Sequence, residues 1–110
     1  MVVQSGDIYL VKFHPTIGAG LKKYRPAVIV SGEVTHLDSR FVLIAPLTTQ
    51  AHTTNTYELK LKSNPALTKN SLILCWYLHT LDSRRLVKKL GSISKPELTA
   101  MYKILTKLLV

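Results

Sequence analysis

Two short segments place charged and hydrogen-bonding side chains where an apolar stretch meets a turn-rich one. In Lys22-Lys23-Tyr24-Arg25-Pro26 the proline ring restricts Arg25 to extended backbone, which fixes the root of its side chain. A guanidinium held in this way grips a phosphate through two parallel hydrogen bonds, whereas the adjacent lysines supply only point charge. In Pro46-Leu47-Thr48-Thr49-Gln50 three hydrogen-bonding side chains close an aliphatic run. Taken singly, such segments are more commonly a surface ion pair and a polar strand end. Other chemistries lack their residues. One cysteine, four scattered histidines and few carboxylates form no metal-ligand cluster. Gly18-Ala19-Gly20 lies in a loop with no helix after it, so no phosphate-cradling nucleotide motif is present and no cofactor is expected. Cys75, flanked by Leu74 and Trp76 in an apolar run, reads as a buried structural thiol.

The elements that must position these groups are mostly strands. Asp7–Phe13, Ala27–Ser31, Phe41–Leu47, Tyr57–Leu61 and Leu72–Leu78 are short runs rich in β-branched, aromatic and aliphatic residues, separated by loops rich in Gly, Pro, Ser, Asn and Thr. Spacing this short leaves no room for helical crossovers, so the strands should pair antiparallel in a curled sheet or small barrel. The C-terminus changes period: Leu98, Met101, Tyr102, Leu105, Leu108 and Leu109 recur every three or four residues. Ser94 with Glu97 forms a capping box and Pro96 falls in the first turn, which predicts one amphipathic helix packed across the sheet. Asp82 should cap a short helical turn over Arg84 and Arg85.

The chain has 110 residues and a formal charge of +9, with 46 % hydrophobic and 19 % charged residues. That composition describes one folded domain, residues 1–110, and excludes a disordered basic tail. The lone cysteine excludes an internal disulfide. No apolar run approaches the ~18 residues of a membrane span and the N-terminus lacks a secretory pattern, so a cytoplasmic location without membrane association is expected. Residues 58–110 carry ten basic and three acidic side chains, against five and three in residues 1–57. Charge alone leaves two readings, a phosphate-binding surface and a solvated lysine-rich face.

In order along the chain, Gly6-Asp7-Ile8-Tyr9, Pro15 and Gly18, Arg25-Pro26-Ala27-Val28 and Pro46-Leu47-Thr48-Thr49-Gln50 resemble the MazF/PemK toxins of bacterial toxin–antitoxin systems. The resemblance continues through Asn70-Ser71-Leu72-Ile73-Leu74, Thr80-Leu81-Asp82-Ser83-Arg84-Arg85-Leu86 and Leu90-Gly91-Ser92-Ile93 into the terminal helix, and so covers nearly the whole chain. It implies an SH3-like curled antiparallel barrel with a C-terminal helix, a homodimer, and an mRNA interferase. Such an enzyme cuts single-stranded RNA at short sequences without a metal. The 2′-hydroxyl attacks the neighbouring phosphate and leaves a 2′,3′-cyclic phosphate and a 5′-hydroxyl. The family's catalytic arginine and threonine fall on Arg25 and Thr48. An acidic cognate antitoxin is the implied inhibitor.

The sequence departs from that pattern at two places. Gly20-Leu21-Lys22-Lys23 replaces an acidic loop of many relatives, and Tyr77 and His79 stand where relatives often carry Gln and Arg. His79 can exchange a proton near neutral pH, which nominates it as a general acid/base, or it can line the site and contact a base. Lys22, Lys23, Tyr24, Thr49, Gln50, Tyr77, Arg84 and Arg85 complete the expected RNA-binding set, with Tyr24, Trp76 and Tyr77 able to stack on unpaired bases. A competing reading from the binding class is an inactive relative of the same fold that holds DNA, RNA or a topoisomerase.

Overall fold

A computed structural model describes residues 3–13, 24–32, 40–49, 56–62, 64–67 and 69–109. Strands β1 (Asp7–Lys12), β2 (Tyr24–Ile29), β3 (Phe41–Thr48), β4 (Glu58–Leu61), β5 (Ser71–Leu74), β6 (His79–Asp82) and β7 (Leu86–Ser92) precede helix α1 (Lys95–Leu109). Every pairing is antiparallel, in the order β4-β5-β3-β2-β1-β7, with β6 also paired to β3. Among the described residues the curled sheet stays open, with β4 and β7 at the ends of this path and β6 paired only with β3.

Period-two alternation divides the core into two clusters on opposite faces. Tyr9, Val11, Phe13, Ala27, Ile29, Val42, Ile44, Leu81 and Leu86 pack together on one face. Ile8, Val28, Ala45, Leu47, Leu61, Ile73 and Cys75 pack on the other, where Met101 and Leu105 bring down the apolar stripe of α1. The helix starts as the sequence predicts. The Ser94 N–H donates to Glu97 Oε1 at 2.9 Å while the Glu97 N–H donates to Ser94 Oγ at 3.2 Å, satisfying two end donors reciprocally.

Two expectations need correction. Leu72–Leu78 is not one strand: Cys75–Leu78 forms a turn, with the Tyr77 N–H bonded to the Leu74 carbonyl at 3.0 Å, and the chain re-enters the sheet as β6. Cys75 therefore begins the turn instead of sitting mid-strand, although it is buried as anticipated. A further strand, β7, follows the 3₁₀ turn Ser83–Arg85. Its central Lys88 and Lys89 are the charges expected of a guarded sheet edge, and they conceal the apolar alternation that marks inner strands.

Proline chemistry accounts for the break in β5–β6 and for a second one across the sheet. The bond from the Val30 N–H to the Leu43 carbonyl, 2.8 Å, sets the phase of the β2–β3 ladder. Val28/Ala45 and Pro26/Leu47 then fall on hydrogen-bonded positions, and Ala27/Pro46 on the open ones between them. Pro26 has no N–H to give the Leu47 carbonyl, and the paired register ends at Ala27↔Pro46. The nitrogen of Pro46 points to the other flank of β3, where β5 pairs with Leu47 and Thr48, β6 pairs with Phe41 to Ile44, and the Cys75–Leu78 turn lies between.

Candidate active site

Past the last β2–β3 pair the two strands diverge around a cleft of about 230 Å³ lined by Tyr24, Arg25, Pro26, Leu47, Thr48 and Thr49. Carrying the register two residues beyond Ala27↔Pro46 sets Arg25 opposite Thr48. By alternation both side chains leave the sheet on the face that carries Ala27, Ile29 and Ile44. Arg25 and Thr48 are half-buried, while Tyr24 and Thr49 are exposed at the mouth. The structure thus joins the two sequence segments into one concave site. Lys22, Lys23 and Gln50 lie outside the described residues.

Arg84 and Arg85 belong to a neighbouring depression shared with Lys12 and Asp82. Lys12 pairs with Tyr24, so this basic hollow adjoins the mouth of the cleft across one strand spacing. Arg84 is committed to a forked pair with Asp82, with Nε at 3.1 Å and Nη2 at 2.8 Å, and Asp82 Oδ1 also accepts from the Arg84 N–H. These bonds hold the Asp82 carboxyl down at about 2. Arg85 donates to the Lys12 carbonyl at 3.2 Å.

His79 is on the same face but apart from the Arg25–Thr48 pair. It pairs with Ile44, four residues from Thr48 along β3, a separation of about 13 Å at the rise of a strand. Its ring meets the edge of Phe13 at 5.8 Å and lies 4.5 Å from the Tyr77 ring. Nε2 is buried without a hydrogen-bond partner, and burial lowers the imidazole pKa, so the ring is neutral at pH 7. Trp76, expected within a strand, lies in the turn and stacks on Tyr77 with ring centres 5.2 Å apart and planes 8° from parallel. Its anchor was missed altogether: Trp76 Nε1 donates to Glu58 Oε2 at 2.9 Å from eighteen residues away, a pairing for which the local sequence carries no signal. Among the described residues no group of three or more His, Cys, Asp or Glu is arranged to hold a metal ion, and no helix is long and apolar enough to cross a membrane.

The architecture matches solved toxin structures. A MazF from Deinococcus radiodurans superposes with a TM-score of 0.81 at 23 % identity, covering 99 % of this chain and 97 % of that one. A mycobacterial endoribonuclease, solved in complex with its cognate antitoxin, gives 0.77 at 19 % identity, covering 97 % and 94 %. In sequence, the endoribonuclease MazF of Staphylococcus epidermidis is 30 % identical over 88 % of this chain and 82 % of its own length. That of Staphylococcus saprophyticus is 32 % identical over 84 % and 79 %. Residues 4–109 match the model of the PemK-like, MazF-like toxins of type II toxin–antitoxin systems, and the chain belongs to that family.

Proposed function

We propose that this toxin is an endoribonuclease that cleaves single-stranded RNA without a metal, at the cleft between β2 and β3. The observation that carries the reading is the convergence of Arg25 and Thr48, from two separate segments, on one cleft. The 2′-hydroxyl gives its proton to solvent as its oxygen bonds to phosphorus, and the bond from phosphorus to the 5′-oxygen breaks with that oxygen taking a proton from solvent, giving a 2′,3′-cyclic phosphate and a 5′-hydroxyl. Negative charge builds on the non-bridging oxygens as phosphorus becomes pentacoordinate. Arg25, whose root is fixed by Pro26, offers two parallel donors to those oxygens, and in a half-buried site such donors act most strongly where charge develops. The Thr48 hydroxyl donates to the same phosphate from the opposite strand. Arginine stays protonated at any working pH, so its part is electrostatic and not that of a base. His79, about 13 Å along β3 from Thr48, serves the path of the RNA in this reading and not the transfer of the proton.

The basic hollow at Lys12, Arg84 and Arg85 extends the phosphate-binding surface beside the cleft. The same surface suits an acidic antitoxin segment that competes with RNA, and a homodimer in the cytoplasm is the working form. The test is incubation of the purified protein with a long single-stranded RNA in EDTA, with the new ends analysed chemically. Cyclic-phosphate and 5′-hydroxyl ends, lost in Arg25→Ala, are expected. Unchanged cleavage by Arg25→Ala would remove the site assignment, and dependence on added metal would remove the mechanism. Salt-sensitive binding with no cleavage would instead favour a nucleic-acid-binding relative.

A further inference from the structure

Trp76 is the only tryptophan in the chain, and it is 48 % exposed. An exposed indole ordinarily samples many orientations, but this one is fixed from two sides. Its Nε1–H is held by Glu58, a carboxylate only 8 % exposed at the start of β4, and one ring face is covered by the near-parallel Tyr77. Tyr77 rests in turn against His79, and His79 against Phe13, which is 1 % exposed in the core. Four rings therefore form a tier rooted in the core and ending in an oriented, half-exposed indole.

The tier stands close to the cleft. The Cys75–Leu78 turn lies on the flank of β3 opposite β2, level with Ala45 and Pro46, because β5 ends its pairing at Leu47 and β6 resumes at Ile44. Two strand spacings, about 10 Å, separate that flank from the strand that carries Arg25. An RNA strand whose phosphate sits between Arg25 and Thr48 has its neighbouring bases within reach of the turn.

We propose that Trp76 is a stacking platform for an unpaired nucleobase adjoining the scissile phosphate, held in register by Glu58 and backed by Tyr77. The proposal rests on the ribonuclease reading above. The occupant is a base and not an apolar side chain, because a strand seated on Arg25 and Thr48 carries its bases past the turn, and the described residues exposed at the cleft mouth, Tyr24 and Thr49, are aromatic and polar. A flat indole face binds every base through its π-surface, so the platform contributes affinity and geometry with little choice of sequence.

The single tryptophan is its own reporter. The parent protein is titrated with a fluorescein-labelled, fully 2′-O-methylated oligonucleotide, which has no attacking hydroxyl, and anisotropy and tryptophan emission are read together. Quenching that tracks binding is expected. Binding with unchanged emission would overturn the platform, and no binding at all would overturn both the platform and the nuclease reading beneath it. In parallel, cleavage by Trp76→Ala should show KM raised between about five- and a hundredfold, with kcat changed far less, and Trp76→Phe should restore most of the loss. An unchanged KM in Trp76→Ala would also overturn the proposal. If the parent cuts no RNA but its emission is quenched on binding, the platform stands and the nuclease reading falls.

Discussion

If Arg25 and Thr48 act on one phosphate, their contributions to cleavage cannot be independent, and a double-mutant cycle measures that dependence directly. Arg25 and Thr48 face each other just beyond the last paired residues of β2 and β3, and both line a single cleft of about 230 Å³. Arg25→Ala removes charge-assisted donors aimed at the developing oxyanion, a loss of about 10²- to 10³-fold in rate, or roughly 3–4 kcal/mol. Thr48→Val keeps the side-chain shape and deletes one hydrogen bond to a charged group, worth about 1.5–3 kcal/mol. Independent sites would sum to roughly 4.5–7 kcal/mol. A shared phosphate predicts less: without Arg25 the phosphate is no longer held against Thr48, so the double variant should be nearly as active as Arg25→Ala, with a coupling of about 1 kcal/mol or more. The assay is single-turnover cleavage of a short RNA, which separates chemistry from binding and release. Melting temperatures near the parent's are expected, since both residues stand at the rim of the fold. Effects that add to within about 0.5 kcal/mol would refute the shared-phosphate argument.

Other expectations concern the scaffold and its titrating groups. Met101 is fully buried beneath α1 and its truncation to Ala should cost about 3 kcal/mol, seen at fixed protein concentration as a melting temperature lower by roughly 10–15 °C. Burial, with Glu58 nearby, pushes the Cys75 thiol up to about 11. Native protein should therefore resist iodoacetamide at pH 8 while urea-unfolded protein reacts. Because the folded pKa is raised, this stabilisation is complete below the unfolded value near 9 and is lost as pH rises towards 11. His79 has the opposite sign. Its folded pKa is lowered by burial, so the unfolded chain takes up the proton first, and stability held above pH ~6.5 is lost as pH falls. His79→Gln should flatten the fall in urea midpoint between pH 7 and 5, and an unaltered slope would show that His79 does not carry it.

The inner strands and the helix were legible because burial imposes a period on them. Asp7 to Phe13 and Phe41 to Leu47 alternate between two core clusters, and Leu98 to Leu109 repeats at helical spacing behind its Ser94–Glu97 box. The edge strand β7 was hidden because Lys88 and Lys89 serve solubility there and not packing. The break after Leu74 was hidden because Cys75 to Leu78 is as apolar as a strand, and what ends the pairing is Pro46, far earlier in the chain on another strand. Within the cleft, the two segments stood out by their own residues and the resemblance singled out Arg25 and Thr48, but nothing local says that these two face each other. The Glu58–Trp76 anchor joins β4 to the turn after β5, and such long-range pairs leave no mark on either segment.

The missing N–H of Pro26 has a kinetic corollary. Two strands with complete ladders would have to be unzipped before a phosphate entered between them, and that opening would tax every binding event. Here the ring blocks the bond to Leu47 permanently, and the fork is set once, when the chain folds. If the proposed site is right, an RNA strand or an acidic antitoxin segment meets a seat that is already shaped, and capture should proceed at the pace of charge-steered diffusion, slowing steeply with added salt.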